Sequence, residues 1–445
     1  MAVIEPIAVV SQAHRAPRFN PVSLDALNFL LADVRGALGP YLNVFLVTQL
    51  HWNQSSVGLI TMLGGWLGLA ARAPIGAAID ATHAKRGLIV VALLLLAVGA
   101  TAISIAPSFW VVMIANGVVA IVGDIFGPAI AAITLGIYGH GLARRMGRNA
   151  AFDHAGNVAI AAAAGVVGWA LSQSAVFLLV PAFALLSAFA VLLIPSGVID
   201  HEQARGATPG YERYSGISII LTCRPLLLYA ACAMLFHFAN APLLPLVGQK
   251  LALAHPAWST AMMSSCIIAA QIIMLPIALL VGHTADTWGR KPILLIGFGI
   301  LPVRAALYSL SDNTVWLVGV QLLDGIGAGI FGAITPLVLA DLMNGTGRYN
   351  VAQGIVATVQ GIGASTSGLV AGLIVDHFGY TAAFLEAAVV AAIAFTVLLA
   401  LMADTAPPDR GLIRAPWGSD DHSRTAVHPQ FSAVVLGSGR VGSAN

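Results

Sequence analysis

Segments of about twenty apolar residues recur along most of the chain, separated by short polar breaks. A helix needs about 20 residues to cross a hydrocarbon layer roughly 30 Å thick, and inside that layer every backbone polar group must be bonded within the chain. Of the 445 residues, 58% are hydrophobic and 9% are charged, whereas about a quarter are charged in soluble domains. The pattern predicts an all-α polytopic membrane protein.

Twelve such segments form two sets of six. The first set lies near residues 24–50, 54–80, 86–106, 108–136, 147–171 and 173–194, and the second near 225–249, 257–284, 290–311, 313–341, 348–376 and 379–403. The segment between them is rich in Pro, Gly and charge, which is typical of a linker. We therefore predict a tail (1–22), a six-helix bundle (23–194), a linker (195–224), a second six-helix bundle (225–404) and a polar, disordered tail (405–445).

The positions of lysine and arginine predict the orientation in the membrane, because short cytoplasmic loops retain these residues. Of the 21 in the chain, three lie inside spans (Arg35, Arg72 and Arg304) and one, Lys250, lies in an outer loop, which leaves 17 in the tails, the linker and the remaining loops. We therefore expect both termini and the linker to be cytoplasmic, in a multi-pass protein of the inner (cytoplasmic) cell membrane.

Several classes of function lack the residues they need. The net charge is +2, and neither a basic stripe nor a recognition motif indicates a nucleic-acid partner. The sequence has no P-loop and no H-E-x-x-H pattern, and the three cysteines lack the spacing of metal ligands. We therefore expect no enzyme, no cofactor and no metal; a polytopic membrane enzyme or a sensor is the alternative from another class.

The two sets of spans contain matching patterns, which indicates an internal repeat. Gly76 and Asp80 in the first set match Gly282 and Asp286 in the second, both 206 residues further on. The tripeptide IFG occurs at 125–127 and again at 330–332, and GR occurs at 147–148 and 347–348. Because the matches fall in corresponding helices, the halves are predicted to share one fold.

The fuller copy of the first pattern reads G-x-x-x-D-x-x-G-R-K, and consists of Gly282, Asp286, Gly289, Arg290 and Lys291. The first copy keeps Gly76 and Asp80 and lacks the second glycine. With these loops, the spans, the linker and the run GLIVDHFGYTAAF, the chain resembles the major facilitator superfamily. The resemblance implies two pseudo-symmetric six-helix bundles that rock about a central site and move small solutes. It also implies that both loop copies form a conformational latch; the alternative is that Arg290 and Lys291 only anchor the inner surface.

Four charged residues of the first half lie inside predicted spans, namely Asp33, Arg35, Arg72 and Asp124. A charge near mid-bilayer costs at least about 2.5 kcal/mol, so such residues face the protein interior, have partners or serve function. At 1.5 Å per residue, three of them lie roughly 12 to 18 Å from the inner ends of their helices. Our hypothesis is that Asp33 or Asp124 exchanges a proton while Arg35 or Arg72 tunes its pKa or holds an anionic substrate. The alternative is a static packing network.

The second half offers His237, Arg304 and Asp324. Sliding helix 7 onto helix 1 by 202 residues places His237 on Arg35, and histidine titrates near neutral pH, so His237 is a candidate for coupling as well as for packing. Arg304 and Asp324 lie at overlapping depths and are predicted to form a structural or coupling pair.

The predicted function is secondary active transport of a small molecule by a monomer in the lipid bilayer, with the proton gradient as energy source. Proton-coupled export of a drug-like molecule, or of an amphiphilic or anionic metabolite, is the first interpretation. Proton-coupled uptake of an organic acid or another small nutrient is the alternative.

Overall fold

The computed structural model describes residues 20–32, 34, 39–138, 142–204, 222–343 and 349–405. These residues form fifteen α-helices with short connections. The helices are α1 (Val22–Leu31), α2 (Gly39–Thr48), α3 (Gln54–Ala81), α4 (Lys85–Ile105), α5 (Phe109–Ile137), α6 (Leu142–Ala170), α7 (Leu179–Leu192), α8 (His201–Ala204), α9 (Arg224–Asn240), α10 (Leu243–Ala254), α11 (Ser259–Trp288), α12 (Arg290–Tyr308), α13 (Thr314–Val320), α14 (Leu322–Leu342) and α15 (Tyr349–Leu401). Short 3-10 turns lie at Ser174–Leu178, Ser196–Val198 and Pro256–Trp258.

Within these residues, ten helical stretches are long and apolar enough to cross a membrane. The 53-residue α15 is bent at Gly379, whose φ of 82° and ψ of 171° are not helical, so it comprises two spans. The first predicted span is divided into the two shorter helices α1 and α2. Counting α15 as two crossings and α1 with α2 as one accounts for the twelve predicted spans.

The buried apolar residues form two clusters. One is built almost entirely from α1 to α8, which we call the first half, and the other from α9 to α15, the second half. In lipid, apolar burial does not drive helices together, so close packing of small residues and interhelical hydrogen bonds supply the stability. A Cβ on Gly156 would overlap the carbonyl oxygen of Phe29 in α1, and one on Gly325 would overlap that of Ala270 in α11. Each core therefore depends on helices in backbone contact.

The outer surface of the bundle is apolar, as a lipid-facing surface must be. In α4, Val91, Leu94 and Val98 are exposed, and in α7 Leu185 and Phe189 are exposed. The same helices bury the opposite face, where Ile89 and Leu96 of α4 are almost inaccessible. One face of such a helix meets lipid and the other meets the core, so both faces are apolar.

Two prolines interrupt the seventh span. α9 ends at Asn240 and α10 begins at Leu243, with Pro242 between them and Pro245 in the first turn of α10. Proline has no N–H to donate to the carbonyl four residues earlier, so the carbonyl groups of Phe238 and Ala241 lose their helical partners. The break lies where the second half faces the first.

Candidate functional site

The two halves meet along α3 and α15. A Cβ on Gly58 would overlap the backbone of Gly368, and a Cβ on Gly65 would overlap the Ser365 side chain. Further along the same face of α3, Leu69 packs on Gly361. Glycine at these positions lets two helices from different halves touch through their backbones.

A second line of contact joins α6 to α11. Gly165 and Gly168 of α6 face Ser264 and Thr260 of α11. The Gln173 side-chain amide donates a hydrogen bond to Ser259 Oγ at 2.7 Å. The ends of α6 and α11 nearest these residues define what we call the closed end of the bundle, which also contains the start of α3.

At the closed end, Asp376 of α15 caps α3 across the boundary between the halves. Its carboxylate oxygens accept hydrogen bonds from the backbone N–H groups of Gln54 at 2.9 Å and Ser55 at 2.8 Å. Gln54 Nε2 also donates to the Tyr380 hydroxyl at 2.8 Å. The first N–H groups of a helix have no internal partner and carry partial positive charge, which a carboxylate stabilises. Asp376 therefore ties the second half to the first.

The opposite, open end contains the end of α3 and the turn between α11 and α12. The face of α3 that packs on α15 through Gly58, Gly65 and Leu69 continues with Arg72 and Gly76. The Arg72 side chain is 38% exposed, and a Cβ on Gly76 would meet no atom within 4 Å. The same holds for Gly354 on α15. Open space therefore adjoins α3 at Gly76 and α15 at Gly354 at this end, and we call this space the gap.

Arg72 and Asp124 form an ion pair beside this gap. Arg72 Nε donates to Asp124 Oδ2 at 3.3 Å, and Arg72 Nη2 donates to Oδ1 at 3.1 Å. This two-point geometry is the strong form of an arginine–carboxylate contact. The Asp124 side chain is 25% exposed, and Arg72 Nη1 takes no part in the pair. The pair is thus accessible from the gap and retains donors for a further partner.

His154 of α6 and Gln271 of α11 form a polar contact between the halves near the middle of both helices. His154 Nδ1 lies 2.8 Å from Gln271 Oε1. The amide oxygen only accepts, so Nδ1 carries the proton in this pairing. The contact lies deeper in the bundle than the Gly165 and Gly168 contacts and places a titratable ring on the boundary.

The structure places the remaining predicted coupling residues as follows. Asp33 and Arg35 lie outside the described residues, as does the Asp80 side chain. His237 is largely enclosed by aromatic rings, with Phe236 and Phe331 at 5.6 and 4.8 Å between centroids. Its Nδ1 donates to the Ala233 carbonyl at 2.9 Å, which leaves Nε2 as the acceptor of the neutral ring.

Arg304 and Asp324 are in contact, within the second half. Arg304 Nη1 also donates to Asn240 Oδ1 at 3.0 Å, at the end of α9. Gln321 Nε2 donates to Asp324 Oδ2 at 3.0 Å, and the Tyr308 hydroxyl donates to Gln321 Oε1. Arg304 is 2% exposed, so this network is buried inside the second half. Through Asn240 it also fixes the end of α9, beside the break in the seventh span.

The side-chain contacts that the structure describes for Arg290 and Lys291 lie within the second half. Arg290 contacts Asp286 at 3.0 Å and Asp341 at 2.9 Å, and Lys291 Nζ donates to the Leu399 carbonyl at 2.9 Å. Gly289 has φ 87°, and the N–H of Arg290 that follows it donates to Asp404 at 3.0 Å. A Cβ on Gly282 would meet no atom within 4 Å. This loop lies at the open end of the bundle, and the space beside Gly282 there is open.

Sequence reasoning missed four charged or titratable residues. Asp376 and His154 make the cross-boundary contacts described above. Asp25 is buried against Arg145 and Arg148, at 2.7 and 2.6 Å. The half-buried Glu386 lies in the twelfth span. A signal for Asp376 was available, because Gly372, Asp376 and Gly379 repeat the spacing of Gly282, Asp286 and Gly289.

An apolar bundle of twelve crossings, with halves that meet at one end and part at the other around accessible charges, defines a polytopic membrane transporter. A sequence model of the Major Facilitator Superfamily matches residues 24–278 and 226–438. The chain belongs to the Major Facilitator Superfamily. It is accordingly a transporter and not an enzyme.

Individual relatives agree with this family. An uncharacterized MFS-type transporter of Mycobacterium tuberculosis (strain ATCC 25618 / H37Rv), Rv2456c, is 47% identical over 392 residues, which cover 87% of this chain and 94% of the relative. The riboflavin transporter RibZ of Clostridioides difficile (strain 630) is 27% identical over 27% of this chain and 26% of its own length. The multidrug transporter MdtP of Bacillus subtilis (strain 168) is 27% identical over 30% of this chain and 24% of its own length.

The fold has a counterpart among solved structures. A point mutant of the nucleoside transporter NupG superposes with a TM-score of 0.72 over 85% of this chain and 98% of that chain, at 14% identity. At that identity the likeness concerns the fold alone.

Proposed function

We propose that this protein is a proton-coupled secondary active transporter that exports a drug-like or amphiphilic metabolite by alternating access. The observation that carries the proposal is the Arg72–Asp124 pair, which is exposed to a gap between halves that are joined at the other end. In the orientation predicted from the lysines and arginines, the open end faces the cytoplasm and the structure is the inward-facing state. The protein would act as a monomer in the cytoplasmic membrane, with both termini cytoplasmic.

Export requires solute and proton to occupy the site in turn. A cationic or hydrogen-bond-donating solute binds the Asp124 carboxylate from the gap, and a proton replaces the solute on the return step. Because one carboxylate cannot hold the solute and the proton at the same time, binding of one excludes the other, which couples export of the solute to entry of the proton. The name of the multidrug relative from Bacillus subtilis supports this class of solute.

The same pair supports the second candidate, proton-coupled uptake of an organic acid. An anionic solute needs the Arg72 guanidinium, which is available in full only when protonated Asp124 no longer holds it through Nε and Nη2. Anion and proton would then bind together and cross together, so that entry of the proton down its gradient drives uptake of the anion. The chemistry of the solute therefore decides the direction.

The test is transport by the purified full chain in proteoliposomes with an imposed pH gradient. Ethidium serves as the cationic amphiphile and radiolabelled p-aminohippurate as the organic anion, with protein-free liposomes as the control. Export by antiport predicts ethidium accumulation in vesicles that are acidic inside, whereas uptake predicts p-aminohippurate accumulation when the outside is acidic. Protein-dependent flux that ignores the gradient for both probes would contradict proton coupling.

A further inference from the structure

Asp153 lies deep in the membrane-spanning part of α6. α6 runs from Leu142 at the open end to Ala170 at the closed end. At 1.5 Å per residue, Asp153 lies about 17 Å from Leu142, and Asp124 lies about 20 Å from the open end of α5. The two carboxylates therefore lie at similar depth on different helices of the first half.

The contacts of α6 identify the face of the helix that carries Asp153. Gly165 and Gly168 meet α11, and Gly156 meets the backbone of α1. Val166, which is 62% exposed, marks the lipid-facing side. With 3.6 residues per turn, Asp153 lies about 140° around the helix from Val166, between the directions of the α1 and α11 contacts. Asp153 therefore faces the interior of the bundle.

The exposure of this face changes along the helix. Ile160 and Ala164 share the face with Asp153 and lie nearer the closed end, where both are 0% exposed. Asp153 and Asn157 lie nearer the open end and are partly exposed. Because the face is turned away from lipid, the space that these two side chains reach is inside the bundle. Asp153 and Asn157 thus line the interior on the open side of the packed region.

Asn157 adds a neutral acceptor beside the carboxylate. Its Nδ2 lies 3.5 Å from Asp153 Oδ2, one helical turn away. With the amide nitrogen directed at the carboxylate, Asn157 Oδ1 is an acceptor at the same site. A carboxylate and an amide oxygen together suit a cationic group that donates hydrogen bonds, such as an ammonium group.

The charges deep in the first half also favour a cation. Five charged residues lie deep in its predicted spans, namely Asp33, Arg35, Arg72, Asp124 and Asp153. Arg72 and Asp124 neutralise each other, and Asp33 and Arg35, which lie outside the described residues, carry opposite charges. One negative charge is therefore left over in the set. Because uncompensated charge deep in a membrane is costly, a bound monovalent cation or a proton completes the balance.

The elements around Asp153 bring few other titratable groups. His154 lies on the next face of α6 and bonds Gln271 of α11, and α11 has no charged residue within two turns of Gln271. Nearer the open end, Arg145 and Arg148 of α6 bond Asp25 of α1. Asp153 and the neighbouring His154 are thus the titratable groups that the described residues of α6 place at this depth.

We propose that Asp153, with Asn157 beside it, is a second solute-contacting residue of the transport site and binds the cationic nitrogen of the transported molecule. This subsite lies beside the junction of α6 and α11, whereas the Arg72–Asp124 pair lies beside the gap between α3 and α15. The proposal rests on the proposed transport function, since it concerns the solute of that function.

The experiment measures how strongly this part of α6 attracts an ammonium group. Ala150→Cys, at an exposed position one turn from Asp153 towards the open end, is introduced in the full chain after replacement of Cys223, Cys232 and Cys266 by alanine. Labelling in detergent by 2-aminoethyl methanethiosulfonate, which carries an ammonium group, is compared with labelling by the neutral 2-hydroxyethyl reagent. We expect the ratio of the two rates to fall roughly three- to tenfold in Asp153→Asn, which removes the negative charge and keeps the shape of the side chain.

Two further variants assign the effect to one carboxylate. Asp153→Glu keeps the charge and should keep the ratio. Asp124→Asn removes the other carboxylate at this depth and should change the ratio less than Asp153→Asn does.

Each outcome decides the question. A ratio unchanged by Asp153→Asn overturns the proposal, as does an equal fall in Asp124→Asn or a failure of either reagent to label the introduced cysteine. Met146→Cys, at a position on the same face that is 40% exposed, replaces Ala150→Cys where the first variant does not fold. The labelling needs neither transport nor a pH gradient, so a negative transport assay leaves the result intact and the two failures remain distinguishable.

Discussion

The carboxylate of Asp376 accepts a hydrogen bond at 2.8 Å from the backbone N–H of Ser55, a residue 321 positions earlier in the chain and in the other half of the bundle. With the bond from Gln54, this arrangement is a helix cap supplied from another domain. Caps normally stabilise a helix locally. Here the cap joins the two halves, so in the proposed alternating-access cycle its free energy would stabilise the state in which this end is closed.

Asp376→Ala is therefore expected to favour opening of the closed end. Loss of a cap costs about 1 kcal/mol, which changes the conformational equilibrium roughly fivefold. The measurement is the distance distribution between spin labels at the exposed His51 and Phe378, one in each half. Asp312→Asn is the matched control, because Asp312 pairs with Lys250 within the second half. Equal distributions in Asp376→Ala and the unmodified chain would contradict this role.

Gly58→Ala is expected to separate α3 from α15. The added Cβ overlaps the Gly368 backbone, which cannot move aside like a flexible side chain, and overpacking of this kind costs about 1 to 3 kcal/mol. Thermal unfolding in detergent should show the loss. Gly319→Ala, where a Cβ meets no atom within 4 Å, should unfold at an unchanged or slightly higher temperature. If both variants unfold alike, the contact does not constrain the helices.

Asp124→Asn is expected to separate flux from the proton gradient. The amide still bonds Arg72 but carries no exchangeable charge, so gradient-driven transport in proteoliposomes should be lost. Ethidium loses the carboxylate that binds it, and flux of p-aminohippurate, where that is the active probe, should become independent of the gradient. Arg72→Lys should reduce flux by about tenfold or more, because lysine cannot make the two-point contact with Asp124. Arg144→Lys, at an exposed position, is the matched control. Gradient-driven flux at full rate in Asp124→Asn would remove Asp124 from the coupling mechanism.

The contact between His154 and Gln271 can be measured by a double-mutant cycle. We expect His154→Ala and Gln271→Ala each to destabilise the protein, and the double variant to lose less than the sum by about 1 kcal/mol, the usual net value of one hydrogen bond. Thermal or denaturant unfolding in detergent gives the three differences. Strict additivity would show that the two side chains do not stabilise the junction of α6 and α11.

The fold could be predicted from the sequence because its signals are local. A span is recognised from about twenty consecutive residues, and the repeat from matching short patterns. The depths of Arg304 and Asp324 follow from the helical rise of 1.5 Å per residue, which is why those residues could be expected to meet. Arg72 and Asp124 were expected in one cluster, and the structure places them in direct contact.

The contacts across the boundary could not be predicted in this way. Asp376 lies at the end of a span, where an acidic residue looks like an ordinary loop residue, and its partners are backbone N–H groups that any sequence would offer. His154 follows Asp153 near the middle of a span whose partner helix begins about a hundred residues later. His237, the counterpart of Arg35 in the repeat, lies beside the rings of Phe236 and Phe331. Such pairings depend on which faces meet, and that is a property of the assembled halves.

Gly289 and Gly379 have nearly the same backbone geometry, with φ of 87° and 82° and ψ of 171° in both. Each ends a G-x-x-x-D-x-x-G run, and one turn lies at the open end while the other lies at the closed end. The second half therefore carries one hairpin design on both faces of the membrane, as expected of a half assembled from two inverted three-helix units. The capping carboxylates at the two turns differ in the half that they bond. Asp404 caps α12, which follows Gly289 in the same half, whereas Asp376, three residues before Gly379, caps α3 of the other half. Two turns of the same backbone geometry have thus diverged: the one at Gly289 is stabilised within its own half, and the one at Gly379 lies beside the carboxylate that joins the two halves.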